Sequence, residues 1–406
     1  MATIATPRTL GASLIFLLGA AVFLNYVDRG AIAVAAPLMK GELGLSATTF
    51  GVAVSAFFWV YAPVQLVVGW LCDRFSVYKL MAAGTILWAG STLLMGMVGG
   101  FTSLLVLRIM LGVGESIAFP GTSKIIARHI PVEQRGIANA AVAAGIALGP
   151  AVGTLVGGLI VASWGWRPMF VLFGLVTLIW LVPWQRAAPS LAIEARDLAS
   201  ARVPVARIVS KWPLWAMSVG HATSNYVFYF LLAWLPLYLV QSRGFTITQM
   251  TLLASLGYFV QAIAALTYGH VSDRWTRSGR SESSIRRWMM VSSQAFSAVA
   301  VLGLTFADRA VPIAILLCLA GAATAALSVN LYAIAQMFAG PKASGTWVGV
   351  QNAFGNSSGI LQPIIAGILI DRAGYASAFY LTAAIAAFGA IWWAFGVPKI
   401  EQVDFD

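Results

Sequence analysis

One feature dominates this chain: apolar stretches about 20 residues long follow one another, separated only by short polar breaks. A stretch of that length spans a hydrocarbon layer as a helix, because every backbone polar group must find its partner within the segment. Twelve such segments are predicted, over about 10–37, 48–71, 79–98, 102–124, 136–162, 168–185, 213–240, 249–270, 287–306, 311–338, 345–370 and 375–397. Of the 406 residues 60% are apolar or aromatic and only 10% are charged, against roughly 25% charged in a soluble domain. A soluble globular fold is excluded, and the expected class is an all-α membrane protein of twelve transmembrane helices.

The net charge of +11 would suit nucleic acid only if the basic residues shared one exposed face. Here they lie between apolar segments, so membrane lipid is the expected partner and nucleic acid is not. Cys72 and Cys318 are the only cysteines, too few for a disulfide framework or a Cys-based metal site; no metal and no organic cofactor are expected. Segment 10–37 carries Asp28 and Arg29 and lacks a small-residue cleavage site, so it is expected to be a retained helix with the mature protein starting near Met1. With the N-terminus inside, eighteen of the 25 Lys and Arg fall on one side of the membrane and five on the other, Arg29 and Arg108 lying within spans. The positive-inside rule then places both termini in the cytoplasm, in the inner membrane of a cell.

The longest polar stretch, with Pro189, Pro204 and mixed charges, divides the chain into an N-terminal six-helix half over 1–185, a cytoplasmic linker over 186–211 and a C-terminal half over 212–406. The halves echo each other. Gly69-Trp-Leu-Cys-Asp73-Arg74 recurs as Gly269-His-Val-Ser-Asp273-Arg274, Gly145-x-x-x-Gly149 as Gly355-x-x-x-Gly359, and Gly165-Trp-x-x-x-Phe170 as Gly374-Tyr-x-x-x-Phe379. Matched features of this kind indicate internal duplication into two pseudosymmetric halves.

Twelve helices in two repeats, each with a Gly-x-x-x-Asp-Arg loop, resemble the major facilitator superfamily of secondary transporters, which implies its fold of two six-helix halves and a working monomer. In that comparison the loop acts as a conformational latch, here Asp73, Arg74, Asp273 and Arg274. Within the superfamily, Asn25-Tyr-Val-Asp28-Arg29, Arg108-Ile-Met-Leu-Gly-Val-Gly-Glu115, and His221-x-x-x-Asn225-Tyr-Val-Phe-Tyr229 with Trp234-Leu-Pro-Leu-Tyr238-Leu resemble the anion:cation symporter family, which includes hexonate and hexuronate transporters and sialic-acid and phosphate carriers. That resemblance implies proton-coupled uptake of a small organic anion, a carboxylate, by alternating access, with H+ as the coupling ion. Where the family commonly has Asn-Ser before the helix-5 glycine, Ala143-Ala144 stand here, which favours a monocarboxylate less polar than a sugar acid.

An ionisable group at membrane depth costs at least about 2.5–3.5 kcal/mol, so each one present calls for a role. Asp28, Arg29, Arg108 and Glu115 sum to zero when both acids are ionised and to +2 when both are protonated, a state that attracts an anion. Deprotonation restores the acids as internal partners of the arginines and favours release. Arginine suits a carboxylate because its planar fork donates two parallel hydrogen bonds. The resemblance assigns substrate binding to Arg29 and proton coupling to Asp28 and Glu115, with Arg108 orienting Glu115; His221 is a further coupling candidate because imidazole titrates near neutral pH. Tyr61, Asn225, Trp347, Asn352 and Asn356 are expected to contact substrate, Tyr61 and Asn356 on the family pattern and Asn352 because it shares a helix face with Asn356. No nucleophile–base set, metal set or phosphate loop is present in the sequence, so no enzyme activity is expected. The competing reading is a proton-coupled exporter or antiporter of lipids or amphipathic drugs, Spinster-like or drug-exporter-like, since those carriers share the Asn-Tyr-x-Asp-Arg and Arg…Glu signatures.

Overall fold

The computed structural model describes residues 7–130, 134–191 and 203–405. Among them twelve long helices follow the predicted segments and no strand forms. They are α1 (Pro7–Glu42), α2 (Ala47–Arg74), α3 (Val77–Met95), α4 (Phe101–Glu115, resuming over Ala118–His129), α5 (Arg135–Trp164), α6 (Trp166–Leu191), α7 (Trp212–Leu237), α8 (Ile247–Arg277), α9 (Glu282–Leu304), α10 (Ala310–Gly340), α11 (Ala343–Ala373) and α12 (Tyr375–Ile391). Eleven are long and apolar enough to cross a membrane. The exception, α9, begins with Glu282, Arg286 and Arg287 and buries Ser293, Gln294 and Ser297. Those polar groups are satisfied by neighbouring helices: Ser293 Oγ donates to the Ala323 carbonyl at 2.7 Å, and Gln294 Nε2 to Thr223 and Ser224 at 2.9 and 2.8 Å. Internal satisfaction of this kind lets a less apolar helix sit inside a bundle. Of the expected linker, residues 192–202 lie outside the described residues, and 205–209 form a short helix.

Contacts divide the chain into two units, one of residues 1–44 and 56–197, the other of 45–55 and 198–406. In the first, α1 lies along α5 and α3 lies between α4 and α6. The α1–α5 approach is set by Gly145, Gly149 and Gly153, one turn apart on one face of α5. A methyl group at these positions would stand 2.8 Å from the Gly19 carbonyl, 2.5 Å from Tyr26 Cβ and 2.9 Å from Val27 Cα. Only hydrogen fits there, so the backbone of α1 is held directly against α5 over the turns that lead to Asp28 and Arg29.

In the second unit α7 packs on α10 and α11, α8 on α10, and α9 on α10 and α12. The first nine residues of α2 belong to this unit: Asp371 of α11 accepts hydrogen bonds from the Ala47 and Thr48 amides at 2.9 and 2.7 Å, and Ser55 Oγ donates to the Ile360 carbonyl at 2.8 Å. Between α10 and α11 the chain turns at Gly340 (φ +61°, ψ 179°), a left-handed backbone that favours glycine. The C-terminal residues close over this corner, with Val403 N donating to the Phe338 carbonyl at 2.8 Å and Phe405 edge-on to Trp347.

Candidate functional site

Each unit buries its own polar cluster. In the first, α1 carries Asn25 and Arg29 four residues apart on one face. Arg29 Nη2 donates to Asn25 Oδ1 at 3.1 Å and to Glu115 Oε2 of α4 at 3.0 Å. Glu115 is 0% and Arg29 7% exposed. A buried ion pair repays its desolvation only when geometry and further contacts are good. Here the guanidinium lies over three aromatic rings, 4.6 Å from the centroid of Tyr26, 4.8 Å from Tyr61 and 5.2 Å from Phe57, which adds cation–π attraction in a dry setting. Arg108, two turns before Glu115 on α4, is buried with its guanidinium 5.1 Å from the Phe57 ring. Tyr61 therefore stands beside Arg29, and its ring stacks on Phe57 at 4.9 Å.

The sequence reading makes both acids internal partners of the arginines. Glu115 takes that place with Arg29, whereas Asp28 points to α3: its Oδ2 accepts from Trp88 Nε1 at 2.5 Å and from Thr92 Oγ1 at 3.2 Å. The reason is geometric, since consecutive residues on a helix diverge by about 100° and Asp28 cannot share the face of Arg29. Asn25 also bonds to Glu115, and among the described residues Asp28 Oδ1 is buried without a hydrogen-bond partner. Unsatisfied buried polar atoms are costly and mark positions where a proton or a ligand completes the shell.

The second cluster joins α7 to α11. Asn356 Oδ1 accepts from Tyr229 Oη at 2.6 Å and from Asn225 Nδ2 at 3.4 Å, and the same Asn225 amide donates to the Gly355 carbonyl at 3.2 Å. His221, one turn before Asn225, is 3% exposed, its ring lies against Gly355, and it interacts with the Gln351 backbone and the Asn225 side chain. Gln351 is fully buried, and among the described residues neither of its side-chain polar atoms has a hydrogen-bond partner.

Of the residues expected at the site, Asp28, Arg29, Tyr61, Arg108 and Glu115 come together in the first unit, and His221, Asn225 and Asn356 in the second. Two others lie apart from these clusters. Trp347 is stacked on Phe338, ring centroids 5.7 Å apart, inside the apolar cluster formed with Leu214, Ile334 and Trp393. Asn352 bonds to Tyr332 of α10 at 3.5 Å. The latch side chains Asp73 and Asp273 lie outside the described residues, and Arg74 and Arg274 are exposed. Sequence reasoning gave no role to Trp88, Thr92, Phe57 and Tyr229; Tyr229 closes the quoted α7 motif, whereas the other three are marked by residue type alone, and Trp88 is one of 15 tryptophans, most of which a membrane chain uses for packing and at interfaces.

Apolar helices of spanning length that bury opposite charges and amides among themselves define a multi-pass membrane protein. The family model described as Major Facilitator Superfamily matches residues 18–281 and 242–404, and the chain belongs to that superfamily; it is a carrier and not an enzyme. "Probable sulfoacetate transporter SauU" of Cupriavidus necator is 30% identical over 389 residues, covering 91% of this chain and 90% of its own. "Probable galactarate/D-glucarate transporter GudP" of Bacillus subtilis is 28% identical (89% and 86% covered), and the "Hexuronate transporter" of the same organism 26% identical (93% and 92%). These relatives carry organic anions, in keeping with the family resemblance read from the motifs. Among solved structures, an inward-facing, unoccupied bacterial homologue of the human lysosomal transporter Spinster superposes with a TM-score of 0.81 at 16% identity, covering 96% of this chain and 98% of that one. At that identity the likeness shows the shared fold alone.

Proposed function

We propose that the chain is a secondary active transporter that takes up a small organic anion, a monocarboxylate, together with protons by alternating access, acting as a monomer in the inner membrane with both termini in the cytoplasm. The observation that carries this reading is the buried Arg29–Glu115 pair in its aromatic cage. A substrate carboxylate competes with Glu115 for one guanidinium. With Glu115 protonated, Arg29 is left with a net charge that an anion neutralises; with Glu115 ionised, the internal partner displaces the substrate. Anion and proton thus occupy the cluster together and leave it together. Asp28, bonded only to neutral donors, takes a second proton without breaking an ion pair. Asn225 and Asn356 supply neutral donors and acceptors for the remainder of the substrate, and His221 beside them is a further coupling group. The relatives that carry sulfoacetate, glucarate and hexuronate support an anionic substrate. Ala143-Ala144, in place of the more polar pair, favours a less hydroxylated one.

The test is uptake into proteoliposomes driven by an inward proton gradient, screened over sulfoacetate, sugar acids and short and aromatic monocarboxylates, with Arg29→Ala as the blank. Accumulation of one anion that requires both the gradient and Arg29 is the expected result. Movement of lipids or amphipathic cations with no anion transported would overturn the reading in favour of an exporter.

A further inference from the structure

Asp28 is held by donors alone. Trp88 Nε1–H and Thr92 Oγ1–H, one turn apart on α3, both donate to Oδ2, at 2.5 and 3.2 Å, while Oδ1 is buried with no hydrogen-bond partner among the described residues. An indole N–H donates and never accepts, and in a protonated carboxyl the carbonyl oxygen is the better acceptor, so the oxygen that faces the indole is the disfavoured one for the proton. Trp88 is itself fixed: it is 1% exposed, and Gly114 of α4 lies so close that a methyl there would stand 2.6 Å from the Trp88 backbone nitrogen. The next residue after Gly114 is Glu115. One tryptophan therefore touches the carboxylate of α1 with its ring and, with its backbone, the turn of α4 that bears the other acid.

We propose that Trp88, seconded by Thr92, is a positioning residue for proton transfer: it reserves Oδ2 of Asp28 as a permanent acceptor and leaves Oδ1 as the atom that gains and loses the proton. This rests on the reading of Asp28 as a proton carrier. Of the ionisable groups on the helices packed around it, Glu115 of α4 is the one whose charge acts on Asp28; Tyr26, Tyr61 and Glu115 gather around Arg29 on the other face of α1, and Arg108 lies over Phe57. Between its ends α3 brings none, and α5 and α6 carry ionisable groups only near their ends. The α3 contact therefore changes the proton affinity of Asp28 without altering charge.

The experiment is infrared difference spectroscopy of the purified protein between acid and alkaline pH, with no substrate added. The protonated Asp28 carboxyl gives a C=O band, identified by its loss in Asp28→Asn. In Trp88→Phe this band is expected to move to higher frequency, because the carbonyl loses its donor. The pH midpoint of the band should rise by about one unit, a tenfold gain in proton affinity, because the ionised form loses a hydrogen bond. Trp88→His, which restores a ring N–H, should return both part of the way. Thr92→Val should move them in the same direction by less, and it decides the matter if Trp88→Phe fails to fold. A band assigned to Asp28 whose frequency and midpoint stay unchanged in the folded variants overturns the proposal and leaves the transport reading standing. No band lost in Asp28→Asn removes Asp28 as a proton carrier and overturns the proposal together with the second-proton role given to Asp28, while the Arg29–Glu115 reading keeps its own transport test.

Discussion

At the scale of single residues, the proposed function gives the Arg29 guanidinium two alternative anionic partners, Glu115 and the substrate, so variants of this cluster should separate binding from coupling. Glu115→Gln keeps the shape and an acceptor for Arg29 but removes the titrating charge. Substrate exchange across a membrane with equal pH on both sides should therefore survive, while accumulation driven by a proton gradient is lost. Glu115→Leu leaves a buried arginine with no counter-charge, at a cost of about 3–5 kcal/mol, and the melting temperature in detergent should fall accordingly while that of Glu115→Gln falls less. If both variants accumulate substrate at the parent rate, Glu115 has no part in coupling. The sequence made these charges legible because a buried ionisable group is conspicuous in an apolar segment. It did not reveal their partners. Which donor meets Asp28 depends on the rotation of α3 against α1, and nothing in the local pattern around Trp88 distinguishes a ring facing a carboxylate from one facing lipid. Trp347 fails for the mirror-image reason: it belongs to a polar stretch of α11, yet it lies two and a half turns before Asn356 and is swallowed by an apolar cluster instead.

Between elements, close approach is what sets the site. The stripe Gly145, Gly149 and Gly153 reads equally well in sequence as packing or as a functional motif; its place against residues 19–27 of α1 makes it packing that presents Asp28 and Arg29. Gly149→Val should therefore push α1 off α5, destabilise the protein by about 1–3 kcal/mol, and depress transport by displacing Arg29. A control is at hand in Gly90 of α3, which has nothing within 4 Å: Gly90→Ala should leave the melting temperature unchanged or slightly raised, since alanine is the better helix former. Equal losses in both variants would mean that helix propensity, not the α1–α5 contact, is being measured. A second contact between elements is the Asp371 carboxylate, which caps two orphan amides at the start of α2. Asp371→Ala should cost about 1 kcal/mol at this exposed position, with Asp371→Asn falling in between.

At the scale of the whole chain, twelve apolar segments and their order were readable because the hydrocarbon layer imposes one length and one hydrogen-bonding rule on every span. α9 shows the limit of hydropathy, since its polar face is satisfied by α7 and α10 rather than by lipid-like side chains. Orientation is carried by a different signal, the loops. The turn between α8 and α9 brings together Arg274, Arg277, Arg280, Arg286 and Arg287, whereas the connections after α7 and α9 hold only Arg243 and Arg309. Moving a cluster of arginines across the membrane is opposed by the transmembrane potential and by anionic lipid on the cytoplasmic face. The α8–α9 turn should therefore face the cytoplasm and the α9–α10 turn the outside. Alkaline phosphatase, which folds only when exported, should be inactive when joined after Arg280 and active when joined after Arg309, and a fluorescent protein that folds in the cytoplasm should give the opposite pattern. Reversed reporters would turn the molecule over, and the proton and anion movements assigned to uptake would then have to be read as export.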